Sequence, residues 1–127
     1  MKVLEKIQLG ERVSFCPNIQ SLEELTVQKV AEAAISGDLL AREIFELCGH
    51  YLGRGLSILI DILNPELIIL GSVFLRTQEL LSPATLRVIE KEALFRSRRV
   101  CSVVPAGLGE EIGDYAALAV AAYEEKV

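Results

Sequence analysis

Gly71 closes the apolar run Glu66-Leu67-Ile68-Ile69-Leu70 and is followed by Ser72. This pair is the best candidate in the sequence for a ligand-facing corner. In open α/β sheets, ligands lie beyond the carboxyl ends of strands. A residue without a side chain at that end lets a ligand approach the main chain closely. The Ser72 hydroxyl is small and can donate a hydrogen bond there. The competing reading is that Gly71 only makes a tight turn, and these residues leave both readings open.

Other residues with chemical potential form no complete catalytic set. His50 is the only histidine and has Glu46 and Arg54 one helical turn to either side. A catalytic histidine needs a nucleophile or a metal in reach, and its own segment offers neither, so a solvated role is expected. Cys16, Cys48 and Cys101 are odd in number and far apart, with no CxxC pair and no zinc-ligand spacing. They read as buried thiols in a reducing cytosol. Arg96, Arg98 and Arg99 gather where a helix should end, and they suit the negative carboxyl end of that helix better than a phosphate. The turn Pro105-Ala-Gly-Leu-Gly109 has the look of a phosphate cradle. Glu110, Glu111 and Asp114 already place negative charge at the next helix start, which would repel a phosphate.

Composition narrows the class. The 127 residues suffice for one domain with a core, and 51% of them are hydrophobic. Thirteen basic against 18 acidic residues give a net charge of −5, which argues against nucleic-acid binding by this chain. Met1 to Gln20 lacks a long apolar run, so no signal pattern is read and the expected compartment is the cytoplasm. Glu43, Glu46, Arg54 and Asp61 interrupt the most apolar helix, so no membrane span is expected.

The elements that must hold the corner follow from periodicity and punctuation. Residues 1–20 form a lead segment that fits helix or strand, with Gly10 as a break and a possible short strand over Arg12 to Cys16. A first helix opens either at a Ser21–Glu24 capping box or at Thr26, with Val27, Val30, Ala31, Ala34 and Ile35 in helical period. Gly37 stops it and Asp38 caps the next. A second helix runs from about Leu39 to Leu63, roughly 37 Å. Its expected inner stripe is Leu40, Ile44, Leu47, Cys48, Tyr51, Leu52, Leu56, Leu59, Ile62 and Leu63; Ser57 falls on the polar stripe. Gly49, Gly53 and Gly55 each cost about 1 kcal/mol against alanine in a helix. Three in seven residues imply that something packs very close.

Asn64-Pro65 ends that helix. Glu66 to Leu70 then suits a strand buried on both faces. A short helical piece over Thr77 to Leu81 is followed by Ser82-Pro83 as a fresh helix start, with Leu86, Ile89, Ala93 and Leu94 facing inward. Val100 to Val104 reads as a second, parallel strand. An alanine-rich helix from about Glu111 to Tyr123 closes the chain, its small residues permitting close packing.

The order of these pieces resembles the carboxyl-terminal part of the ROK family of sugar kinases and sugar-responsive repressors. The Gly-Asp joint, LGRGLSILIDILNP, ELIILG, VVPAGLG and IGDYAALAVAAY carry the resemblance, from about Val27 to Tyr123. It implies a partial ribonuclease-H-like (actin-like) α/β domain, with long helices packed on a short parallel sheet. It also implies ATP-dependent phosphorylation of a sugar hydroxyl by the complete protein, with Mg and ATP as cofactors. Nucleotide contact carries over onto Gly71 and onto Ser72, where many members have a second glycine.

The family's DxGGT-type phosphate hairpin is absent from this sequence, and so is the segment with the base aspartate. The family's zinc motif is not matched either: no cysteine follows Gly49-His50 before Cys101. The chain therefore reads as a single-domain piece of a ROK-type sugar kinase, inactive alone. A piece of a ROK-type repressor and a stand-alone interaction module are the alternatives. Two strands with helices leave apolar faces uncovered. A homodimer, with the long glycine-bearing helix as one contact surface, or an amino-terminal partner segment is expected to cover them.

Overall fold

The computed structural model describes residues 2–123. Helix α1 (Lys2–Gln8) ends at Gly10, which takes φ +77. The segment after it is not a strand: Val13 and Cys16 share only an isolated bridge. The Ser21–Glu24 capping box does not form, because Asn18 Oδ1 takes both the Ser21 N–H and its hydroxyl, at 2.9 and 2.6 Å. A single 3-10 turn, Gln20–Leu22, results. Helix α2 (Val27–Ile35) starts at the alternative cap, Thr26, whose hydroxyl oxygen accepts from the Lys29 N–H at 3.3 Å.

Gly37 turns the chain at φ +99, and Asp38 accepts the Ala41 N–H at 2.9 Å to start helix α3 (Leu39–Leu63). The Ser14 hydroxyl also donates to Asp38, tying the lead segment to this cap. That bond and the Ala41 N–H hold the Asp38 carboxyl below the usual range. Asn64 ends α3 in the left-handed conformation, φ 45 and ψ 50, before Pro65.

Strand β1 (Leu67–Leu70) pairs in parallel with strand β2 (Ser102–Pro105), in the register Leu67 to Ser102 through Leu70 to Pro105. Between them lie helix α4 (Val73–Arg76), helix α5 (Gln78–Glu92) and helix α6 (Phe95–Val100). Ser82-Pro83 is not a helix start. It lies inside α5, which begins at Gln78. Helix α7 (Ile112–Ala121) follows β2 through a turn in which Gly109 takes φ +60.

The core is built where α3 and α5 touch. The buried face of α3 is Ala41, Phe45, Gly49, Gly53, Leu56, Ser57 and Ile60, rotated from the expected stripe. The glycines decide this. A Cβ on Gly49 would lie 2.8 Å from Ala84 Cβ and 2.8 Å from the Leu81 carbonyl oxygen. A Cβ on Gly53 would lie 2.6 Å from the Thr85 carbonyl oxygen and 2.7 Å from Val88 Cβ. The two backbones can meet only because those side chains are missing. Ser57 escapes the polar role by donating its hydroxyl to the Gly53 carbonyl at 2.8 Å. Thr85, equally buried, has its hydroxyl 2.8 Å from the Leu81 carbonyl and 3.2 Å from the Gly49 carbonyl across the seam.

The inner face of α5 shifts to match. Leu81, Ala84, Thr85, Val88 and Ile89 are buried, whereas Leu86 and Leu94 are exposed. Leu56, Ile60, Ile89 and Ala93 then pack on Ile68, Leu70 and Val103 of the sheet.

The sheet is covered on one face only. Ile68 and Leu70 point into that cluster, while Leu67 and Ile69 are 51% and 60% exposed. The expectation of burial on both faces is not met, because no described element packs over Leu67 and Ile69. Helix α7 does not supply it: every described side chain from Glu111 to Tyr123 is exposed. Of the cysteines, Cys16 is buried, Cys48 is exposed, and partial burial pushes the Cys101 thiol up.

Gly53→Ala should therefore destabilise the chain by about 1–3 kcal/mol, because overpacking outweighs the gain in helix propensity of about 1 kcal/mol. Urea denaturation measures it. An unchanged or raised midpoint would show that α5 can move away freely.

Candidate functional site

Two parallel strands end side by side, and the candidate corner stands at that end. The Ala106 N–H donates to the Leu70 carbonyl at 2.8 Å. Gly71 sits beside Ala106, where an added Cβ would be 3.9 Å from Ala106 Cβ, an ordinary contact. Gly71 does not take a left-handed φ. The strained residue is its neighbour: Ser72 has φ 52 and ψ −123, a conformation natural to glycine and rare for other residues. The chain makes a β-turn here, with the Phe74 N–H donating to the Gly71 carbonyl at 3.2 Å, and enters α4. The second glycine that the resemblance leads one to expect at position 72 thus has a backbone reason.

A hollow of about 500 Å³ opens beside the corner, between α2 and α4. Val27, Ala31, Ile35 and Val73 give it apolar walls, and Gln28, Glu32, Arg76 and Thr77 supply polar groups. Thr77 is buried, and its hydroxyl donates to the Val73 carbonyl at 2.8 Å, closing the end of α4. Sequence reasoning did not bring α2 to the corner. The available signal was that Val27, Ala31 and Ile35 stand four residues apart, while the core takes Val30, Ala31 and Ala34.

The other singled-out residues lie away from this place or serve the fold. His50 is half-buried and meets the Tyr51 ring edge-on at 5.7 Å. Its expected neighbours reach across to α5 instead: Glu46 pairs with Arg87, and Arg54 lies 3.5 Å from Glu92. Arg98 lies 2.8 Å from Glu90, and both Arg98 and Arg99 stack 5.4 Å over the Phe95 ring. The arginine cluster therefore organises its own short helix and braces it to α5. Among the described residues no three His, Cys, Asp or Glu side chains converge as a metal site would need, and no helix is long and apolar enough to cross a membrane.

The corner separates backbone strain from ligand space. Ser72→Gly should stabilise the chain by about 1 kcal/mol, by relieving the positive φ. Gly71→Ala should change stability by less than about 0.5 kcal/mol, since both its φ and its surroundings accept a methyl group. Thermal unfolding of the two variants checks both. A destabilised Ser72→Gly would mean that its side chain contributes more than its strain removes.

Comparison with known proteins gives this geometry a setting. The chain is 34% identical over 92 residues to the DNA-binding transcriptional repressor Mlc of Escherichia coli K12, covering 72% of this chain and 22% of Mlc. It is 32% identical over 87 residues to the N-acetylglucosamine repressor of Shigella flexneri, covering 68% of this chain and 21% of that protein. The crystal structure of a ROK family transcriptional regulator, a homologue of E. coli Mlc, superposes with a TM-score of 0.67 at 29% identity. That match covers 82% of this chain and 25% of the regulator. The chain thus spans about a fifth of the length of the curated relatives it matches. The ROK family model itself matches residues 7–124, and the chain belongs to the ROK family.

Proposed function

We propose that this chain is the carboxyl-terminal piece of a ROK-type transcription regulator that responds to a sugar. The carrying observation is its likeness to Mlc, to the N-acetylglucosamine repressor and to a solved ROK regulator. This favours the repressor alternative over the sugar-kinase reading drawn from the family resemblance. DNA contact belongs to another part of such a regulator, in keeping with the net charge of −5 here. A cytoplasmic setting and a paired state belong to the same proposal.

The chain's own contribution is a rigid block. The α3–α5 seam fixes β1, and β1 fixes the Gly71–Ser72 corner beside the α2–α4 hollow. A hexose or amino-sugar effector that closes a cleft against this block would change how two copies present their DNA-binding parts. Such a shift needs differential affinity for the two arrangements. Contact of Gly71 and Ser72 with ATP and Mg belongs to the kinase outcome of the test below.

The test uses the protein that carries this chain. Mobility shift on the DNA flanking its own gene should show binding, and one of a panel of hexoses and amino sugars should change that affinity at least about tenfold. A coupled assay with ATP should show no sugar phosphorylation by the 127-residue chain itself. Turnover by the carrying protein at about 1 s⁻¹ or faster, an ordinary kinase rate, without DNA binding would replace the regulator reading with the kinase one.

A further inference from the structure

Arg96, Arg98 and Arg99 crowd together in a chain of net charge −5, and the structure gives them unequal roles. Arg98 reaches Glu90 of α5 at 2.8 Å, with 20% of its side chain exposed. Phe95, Arg96, Arg99 and Val100 share one face of α6 through their helical spacing. Together they line a shallow hollow of about 220 Å³. Arg99 lies 5.4 Å over the Phe95 ring, but among the described residues neither Arg96 nor Arg99 meets a carboxylate. The arginines of the long helices are engaged within the chain. Arg42 donates to the Ala34 carbonyl at 2.9 Å, Arg54 lies 3.5 Å from Glu92, and Arg87 pairs with Glu46. The same hollow is apolar as well as basic: Leu94, Phe95 and Val100 are 61%, 60% and 52% exposed.

We propose that this face of α6 docks an acidic segment of a partner protein, which sets carboxylates on Arg96 and Arg99 and an apolar side chain on Phe95 and Val100. Charge complementarity selects the occupant. A guanidinium fork without an acceptor takes a carboxylate through two parallel bonds. A nucleic acid suits the face less well, because its phosphates run on past two arginines. The next groups are carboxylates: Glu90 beside Arg98, and Asp61, which accepts the Leu94 N–H at 2.9 Å. A short acidic segment needs only the width of the two arginines. The face is also held ready. The bond to Asp61 fixes the start of α6, the Arg98 N–H donates to the Leu94 carbonyl at 3.0 Å, and the Arg98 side chain ties the helix to α5. Little of it has to be ordered on binding. Helix α6 leads into the start of β2, whereas the Gly71–Ser72 corner stands at the far end of the strands. The docking face is therefore separate from that corner and does not rest on the regulator reading.

The probe is a short fluorescent peptide with glutamates on either side of a leucine, titrated with the 127-residue chain and read by anisotropy. It should bind with a dissociation constant of about 100 µM, as a weak transient contact does. Exchanging its glutamates for glutamines, or adding salt, should weaken binding, and exchanging its leucine for serine should weaken it at least about threefold. Arg99→Glu should cost at least about tenfold, and Phe95→Ala should match the leucine exchange. Both side chains are exposed, so circular dichroism should keep the helical spectrum. Arg12→Glu makes the same charge change beside Asp38, at the other end of α3, and should leave binding intact. No saturable binding up to about 1 mM overturns the proposal. So does a serine peptide that binds equally well, an Arg99→Glu chain that binds like wild type, or an Arg12→Glu chain that loses as much as Arg99→Glu. Tighter binding of a DNA duplex that Arg99→Glu abolishes, or self-association that it abolishes, would assign the face to a nucleic acid or a second copy and overturn it too.

Discussion

Backbone contact between α3 and α5 at Gly49 and Gly53 is the constraint on which the other elements depend. Without side chains at those two positions, the Leu81 and Thr85 carbonyls sit where a Cβ would otherwise be. The approach brings Leu56 and Ile60 of α3, Ile89 of α5 and Ala93 just past its end over the same side of the sheet, so that β1 and β2 share one buried face. The seam also sets the rotation of both helices, and with it which side chains are hidden. Ser57 and Thr85 can be buried there because carbonyls of the seam region accept their hydroxyls. The flanking pairs Glu46–Arg87 and Arg54–Glu92 are exposed and add little, about 0–1 kcal/mol each.

Much of the order was legible because punctuation residues act locally. The bounds of α3, its Asp38 cap and its Asn64-Pro65 stop, the Thr26 alternative for α2 and the two parallel strands all followed from short-range chemistry. The helix faces were not legible. Hydrophobic period places Leu47, Tyr51 and Ile62 inside, but the close approach at Gly49 and Gly53 outweighs it and turns those large side chains outward. The three glycines were read as one signal, although Gly55 points away from α5. Pro83 misled in the opposite direction. It reads as a helix start, yet α5 begins five residues earlier, after the chain leaves the Ser72 corner. The hollow between α2 and α4 is a tertiary product, joining residues some 40 positions apart that no local pattern relates.

The candidate corner carries its strain at Ser72 rather than at Gly71. The resemblance leads one to expect a second glycine at the position Ser72 fills, and Ser72 adopts the conformation that glycine prefers. Strain of this kind persists only where surrounding structure enforces it. Here the Leu70–Ala106 bond on one side and the first turn of α4 on the other leave the chain little freedom. The bare face of β1 and the fully exposed α7 carry a different message. Both leave hydrophobic surface that no described element covers.

The α3–α5 seam should then be the cooperative unit on which the rest is mounted. Native-state hydrogen exchange tests it most directly. Amides of residues 45–57 in α3 and 84–89 in α5 should exchange slowest and share one opening free energy, while those of α7 exchange far faster. Separate opening energies for the two helices, or protection of α7 equal to that of α5, would contradict the account.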